Sequence, residues 1–222
     1  DLHRVDRRQR QMCIRDRFIH CIGFSDEDIR RTKKAGASVV WCPASNLFMF
    51  NVTCKVRKML REGLNLSIGT DSTHTGSINL LEEMRVARST YRRLYGEELP
   101  ARKIVEMVTR NPARALWLRG KVGGIAEGFM ADLLLMRPRS AEPYEALLEL
   151  QPEDIELLVL EGTPIFGSAA YEELFVLRDC PYTRISVRGV PMCVRGDPAG
   201  LLAAVRRAVG FRKVLDYLPV DD

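Results

Sequence analysis

From Phe18 onward the apolar positions fall into short runs separated by polar, capped segments. Phe18-Ile19-His20-Cys21-Ile22 is one such run, with a single histidine inside it. Ser25 follows as an N-cap candidate. Asp28, at the third helical position, completes a capping-box pattern. The helix predicted there ends near Ala35, and Gly36 is its stop, since glycine takes left-handed backbone most readily. Ala37–Trp41 is apolar and β-branched without alternation, as in a strand buried on both faces. Cys42-Pro43-Ala44-Ser45-Asn46 reads as a loop, and a helix is expected over about 53–62 with Gly63 ending it. Asn65 to Ile68 alternate again as a short strand. Gly69 then breaks the pattern and the carboxylate of Asp71 follows.

Strand ends therefore fall near His20, Cys42 and Asp71, at intervals of 22 and 29 residues. Those are βα-unit lengths, and they imply an α/β fold with a parallel sheet. In a parallel barrel, chemistry sits beyond the carboxyl ends of the strands. Asp71 is on that ground the first candidate for a functional residue. A long helix with charges outside is expected at 79–95, another from Pro100 to about Arg110, and a further turn from Asn111-Pro112.

The pattern changes after Gly120. Gly123-Gly124-Ile125-Ala126-Glu127-Gly128 is turn-rich, and Ala131–Met136, Ile155–Leu160, Thr163–Phe166 and Ile185–Val194 read as strands. An amphipathic helix is expected from Pro198 to about Val214. The predicted organisation is a leader at 1–17, an α/β segment at 18–120, a β-rich segment at 121–195 and a helical tail at 196–222.

Composition changes this picture little. The net charge is +5, but residues 1–17 hold six arginines and three aspartates, which leaves +2 for the other 205 residues. With no basic stripe and no interleaved aromatics, the charge does not indicate a nucleic-acid partner. The leader has no usable apolar period and reads as disordered or non-native. No apolar run approaches eighteen residues, so no membrane-spanning helix and no membrane partner are expected. Six cysteines are spread singly without a C-x-x-C, which fits a reduced, cytoplasmic protein better than a disulfide framework. The spacing of Cys21, Cys42 and Cys54 fits no compact zinc site.

His20-Cys21 at a strand end, the Cys42–Asn46 segment and Gly69-Thr70-Asp71-Ser72 resemble the last three strands of a metal-dependent amidohydrolase barrel. The nearest branch is the cytosine deaminase and chlorohydrolase-like group. Thr109-Arg110-Asn111-Pro112-Ala113-Arg114-Ala115-Leu116 resembles the segment that follows that barrel. Gly124–Gly128 with Ala131-Asp132-Leu133 resembles the return into a small composite β-sandwich. The resemblance covers residues 18 to about 170. It implies a partial TIM-like (β/α)8 barrel, its last three βα units, followed by a β-rich appendage.

It also implies roles. Asp71 matches the metal-ligating aspartate that ends the last strand, which also takes a proton from the attacking water. His20 matches the histidine of the sixth strand, a metal ligand or a contact to the water or substrate. Asn46, Ser72 and His74 are the substrate-binding candidates. The cofactor is a divalent metal, zinc first, with iron or manganese as alternatives. A metal lowers the pKa of bound water to about 7, and no nucleophilic side chain is needed. There is accordingly no G-x-S-x-G pattern.

The implied reaction is hydrolysis of a non-peptide carbon–nitrogen bond, with deamination of a small heterocyclic amine favoured. Ring opening of a cyclic amide or imidazolone is the alternative within the class. The H-x-H and H-x-x-E pairs of the family are absent, and the histidines are His3, His20 and His74. The chain by itself is thus expected to be catalytically incomplete. The alternative of another class is a non-catalytic association module. A homo-oligomer is compatible with either.

Overall fold

A computed structural model describes residues 17–212, which form two compact units that divide between Ala126 and Glu127. His3, Cys13, the rest of the leader up to Asp16 and the chain beyond Arg212 lie outside the described residues. No helix among the described residues is long and apolar enough to cross a membrane.

The first unit is built on three strands, β1 (Arg17–Ile19), β2 (Ser38–Trp41) and β3 (Asn65–Ile68), in that spatial order and parallel throughout. Phe18 lies opposite Val39, and Val39 opposite Leu66. Helix α1 (Asp26–Lys34) connects β1 to β2. Its capping box is present: Asp28 N donates to Ser25 Oγ at 3.2 Å and Ser25 N to Asp28 Oδ2 at 2.9 Å. Gly36 follows in left-handed backbone at φ 69°.

Two helices lie between β2 and β3, where a loop and one helix were expected. Helix α2 (Pro43–Phe50) takes in most of the expected loop, and α3 (Val56–Arg61) is shorter than the pattern suggested. Pro43 explains the difference, because proline at the first helical position has its φ preset and no N–H to leave unpaired. After β3 come α4 (Leu80–Tyr95), α5 (Ala101–Val108) and α6 (Arg110–Ala115). Val39, Trp41, Met59, Leu66, Ile104 and Met107 are buried at 0–1% exposure and form the core. Each side chain of that size contributes roughly 1.5–3 kcal/mol by leaving water.

Two polar features of this unit were not visible in the sequence pattern. Asn111 Nδ2 donates to the carbonyl of Leu66 at 2.7 Å, and Asn65 Nδ2 donates to Asn111 O at 2.9 Å. Helix α6 is thereby pinned to β3. Arg88 and Arg92, a like-charge pair on α4, both donate to Glu98 at 3.1 Å, which offsets their repulsion.

The second unit holds one five-stranded antiparallel sheet among its described residues, in the order β4 (Leu133–Met136), β5 (Ile155–Leu160), β6 (Thr163–Ser168), β8 (Val190–Arg195), β7 (Tyr182–Val187). Helices α7 (Pro143–Glu149) and α8 (Glu172–Leu177) are inserted between strands. The single strand expected over 185–194 is a hairpin. Arg188 (φ 49°) and Gly189 (φ 79°) turn the chain with two consecutive left-handed residues, the requirement of a tight two-residue hairpin. Phe175, Leu157 and Cys193 form the core of this unit, and α9 (Pro198–Val209) ends it at Gly210.

Candidate active site at the strand ends

The carboxyl ends of β1 and β3 carry the two residues singled out by the sequence. His20 N still donates to Val40 O at 3.0 Å, and Gly69 N to Trp41 O at 2.9 Å, so both strand ends are held in register. The backbone then turns sharply. His20 (φ 68°), Cys21 (φ 53°) and Asp71 (φ 60°) occupy left-handed conformations. Such a conformation costs a non-glycine residue about 1–2 kcal/mol, and it persists only where the surroundings over-determine it. Gly69 permits the approach of the strands, since a Cβ there would lie 2.8 Å from Val40 Cγ1.

His20 Nε2 and Asp71 Oδ2 stand 3.8 Å apart, each side chain about one-third exposed. Asp71 Oδ2 accepts a hydrogen bond from Ser45 Oγ at 2.5 Å, with Thr75 Oγ1 at 3.4 Å. The Ser45 hydroxyl holds the Asp71 carboxyl below its ordinary pKa. On the other side, His20 Nδ1 meets Asn46 Oδ1 at 2.7 Å. Ser45 and Asn46 are both fully buried and adjacent on α2. One helical turn therefore holds both partners, Ser45 on the carboxylate and Asn46 on the imidazole.

The remaining candidates are placed differently. Both ends of the Asn46 amide are engaged, since Nδ2 donates to Thr53 Oγ1 at 3.0 Å. Asn46 braces the site from beneath. Ser72 is exposed, with its hydroxyl 3.2 Å from that of Thr75. His74 is exposed on the same loop and forms no hydrogen bond to His20 or Asp71. Gly76 closes that loop against Thr70; a Cβ at Gly76 would fall 1.7 Å from the Thr70 carbonyl oxygen.

Sequence reasoning missed Ser45, Thr53 and Glu83. Glu83, on a helix expected to carry its charges outside, is fully buried and accepts from Ala44 N at 3.0 Å and Ser77 N at 3.3 Å. It ties the start of α2 to the loop after Asp71. Burial pushes its carboxyl above the usual range, although those donors oppose the shift. A signal existed: Glu83 lies four residues before buried Ala87, on the same face of the helix.

No group of three or more His, Cys, Asp and Glu side chains that could hold an ion occurs among the described residues. Burial pushes the thiols of Cys21, Cys42 and Cys54 up to about 11, about 12 and about 12, so they stay protonated at neutral pH. His20 and Asp71 do suit it in chemistry, one imidazole nitrogen and one carboxylate oxygen. Two ligands about 2.1 Å from a tetrahedral ion lie roughly 3.4 Å apart, close to the separation of this pair. They fit as half of a donor set.

The model of the amidohydrolase family matches residues 6–165. The chain belongs to the amidohydrolase family. Among its relatives, a 5-methylthioadenosine/S-adenosylhomocysteine deaminase of Pyrococcus abyssi is 36% identical over 153 residues, 64% of this chain and 36% of the relative. A deaminase of the same description from Clostridium tetani is 33% identical over 165 residues, 70% of this chain and 38% of the relative. The chain thus spans a little over a third of the length of these curated relatives. An adenosine deaminase from Xanthomonas campestris with bound zinc matches in fold, with TM-score 0.62 and 23% identity over 71% of this chain and 39% of that one. The zinc complex of an atrazine chlorohydrolase from Arthrobacter aurescens does so with TM-score 0.60 and 24% identity over 73% and 40%. The amidohydrolase-like α/β fold read from the sequence is the fold of these neighbours.

Proposed function

We propose that this amidohydrolase chain supplies His20 and Asp71 to a divalent-metal site that hydrolyses the exocyclic carbon–nitrogen bond of a heterocyclic amine. The observation that carries this reading is the 3.8 Å pairing of His20 Nε2 with Asp71 Oδ2, at strand ends held in strained backbone. β1 to β3 are read as the last three strands of a barrel, and the β-rich unit as part of a composite sandwich. Zinc suits the pair best, because zinc binds imidazole and carboxylate and is held by the fold neighbours. The other donors come from outside the described residues. When bound, the ion supplies an acidified water and polarises the carbon under attack.

The chain's own residues do the rest. Nδ1 of His20 is held by Asn46, which aims Nε2 into the site. Asp71, kept ionised by Ser45, is the group able to take a proton from the attacking water and return one to the departing nitrogen. Water adds to the ring carbon, the carbon–nitrogen bond breaks, and ammonia leaves. Ser72 and His74, exposed beside Asp71, contact the substrate. The printed activity of the relatives favours an aminopurine nucleoside as that substrate.

The test is ammonia release from aminopurine nucleosides and aminotriazines by the full-length polypeptide that carries this chain. Asp71→Asn and His20→Ala are each expected to lower kcat by at least ~100-fold. Unchanged kcat in Asp71→Asn overturns the assignment. Activity confined to cyclic amides replaces deamination by ring opening.

A further inference from the structure

The group that orients the His20 ring lies further from it than Asn46. Trp41 Nε1 donates to Thr53 Oγ1 at 2.7 Å, and Asn46 Nδ2 donates to the same oxygen at 3.0 Å. A hydroxyl offers two lone pairs and one hydrogen, and an indole N–H can only donate. As both contacts are directed in the structure, Thr53 Oγ1 uses one lone pair for Trp41 and the other for the Asn46 NH2. With its NH2 turned to Thr53, the Asn46 amide presents Oδ1 to His20 Nδ1 at 2.7 Å. A carbonyl oxygen only accepts, so the hydrogen of the neutral ring sits on Nδ1 and the lone pair on Nε2.

The far side of the ring agrees with this direction. An Nε2–H would close on the Asp71 carboxylate to about 2.8 Å, the usual length for a charge-assisted bond. The observed separation is 3.8 Å, which is no hydrogen bond. That separation is compatible with a lone pair on Nε2. Metal-binding histidines need this arrangement, with the second nitrogen hydrogen-bonded to fix the tautomer.

From these contacts we infer that Thr53 is a positioning residue: anchored by Trp41, it sets the direction of the Asn46 amide and through it the Nδ1–H tautomer of His20. The inference rests on the reading of His20 as a site residue, but its test does not require a bound metal. Thr53 lies between α2 and α3, in a stretch where the sequence offers no motif.

The experiment is long-range 1H–15N correlation of the histidine ring in the labelled chain at mildly alkaline pH. His3→Gln and His74→Gln are introduced so that His20 is the one histidine left. The unsubstituted Thr53 chain is expected to show Nδ1–H, with Nε2 as the lone-pair nitrogen. Thr53→Ser keeps the hydroxyl and is expected to keep that tautomer. Thr53→Val removes both acceptor sites at nearly constant volume, and the ring is expected to change to mostly Nε2–H, the form preferred by a free histidine side chain. Thr53→Ala replaces it if the added methyl disturbs packing, with the same expected change. An Nε2–H ring in the Thr53 chain overturns the inference outright, and so does an unchanged tautomer in Thr53→Val. Zinc added afterwards moves the Nε2 signal only if the metal reading holds, so the two readings fail separately.

Discussion

Glu83 and Asp71 are two carboxylates at one end of a sheet, and their surroundings push them in opposite directions. Asp71 is part-exposed and receives a hydroxyl hydrogen bond that favours its ionised form. Glu83 is fully buried, and desolvation favours its protonated form. For Glu83 the folded pKa lies above the unfolded value of about 4.5. The folded state then binds the proton more tightly, so the stability linked to this group is complete below that value. It is lost as pH rises through the folded pKa. The stability difference between the wild type and Glu83→Gln is expected to move against the wild type as pH is raised from about 4 to 7, as read by urea denaturation at each pH. A pH-independent difference rules the linkage out. The role of Ser45 was not legible in the sequence, and the burial of Glu83 was signalled only by its place on the helix face of Ala87. Glu82 and Glu83 are identical in composition, and only the packing of α4 decides which of them leaves water.

At the scale of elements, the loop after β3 is shaped by one glycine. A Cβ at Gly76 would sit 1.7 Å from the Thr70 carbonyl oxygen, so any side chain there forces the backbone of residues 70–76 apart. Gly76→Ala is expected to cost about 2–4 kcal/mol and to loosen the segment that carries Asp71. Gly23→Ala is the control, since nothing lies within 4 Å of a Cβ there, and it is expected to fall within about 0.5 kcal/mol of wild type. Chemical denaturation midpoints separate the two, and equal midpoints sink the packing account. The helix starts were read well where a local signal existed, as at Ser25 with Asp28. At Pro43 the local pattern reads as a loop, whereas the proline stands at the first position of α2 and starts it.

For the whole molecule, the last residues of the first unit, just before the division at Ala126, are the weak point. Leu116 to Arg119 are exposed, with Trp117 at 60%, and Ile125 is 89% exposed. Exposed connections between compact units are the preferred sites of proteolytic nicking. Among the described residues, limited trypsin digestion is expected to cut first at Arg119 or Lys121, giving two fragments that then resist further cleavage. Mass spectrometry of the first products checks this, and an initial cut inside α3 at Lys58 or inside β7 at Arg184 contradicts the division.

The sequence by itself determined the alternation of strands and helices through β3, the capping of α1, the change to β-rich structure after residue 120, and the family likeness that singled out His20 and Asp71. These rest on local patterns, in which propensity, capping and periodicity act within a few residues. Only the tertiary structure decided which side chains serve that pair. Ser45 reaches Asp71 and Asn46 reaches His20 across 26 residues of chain in each case, and Ala44 reaches Glu83 across 39. A hydrogen bond forms between atoms that packing brings within about 3 Å, and spacing along the chain carries no record of that distance.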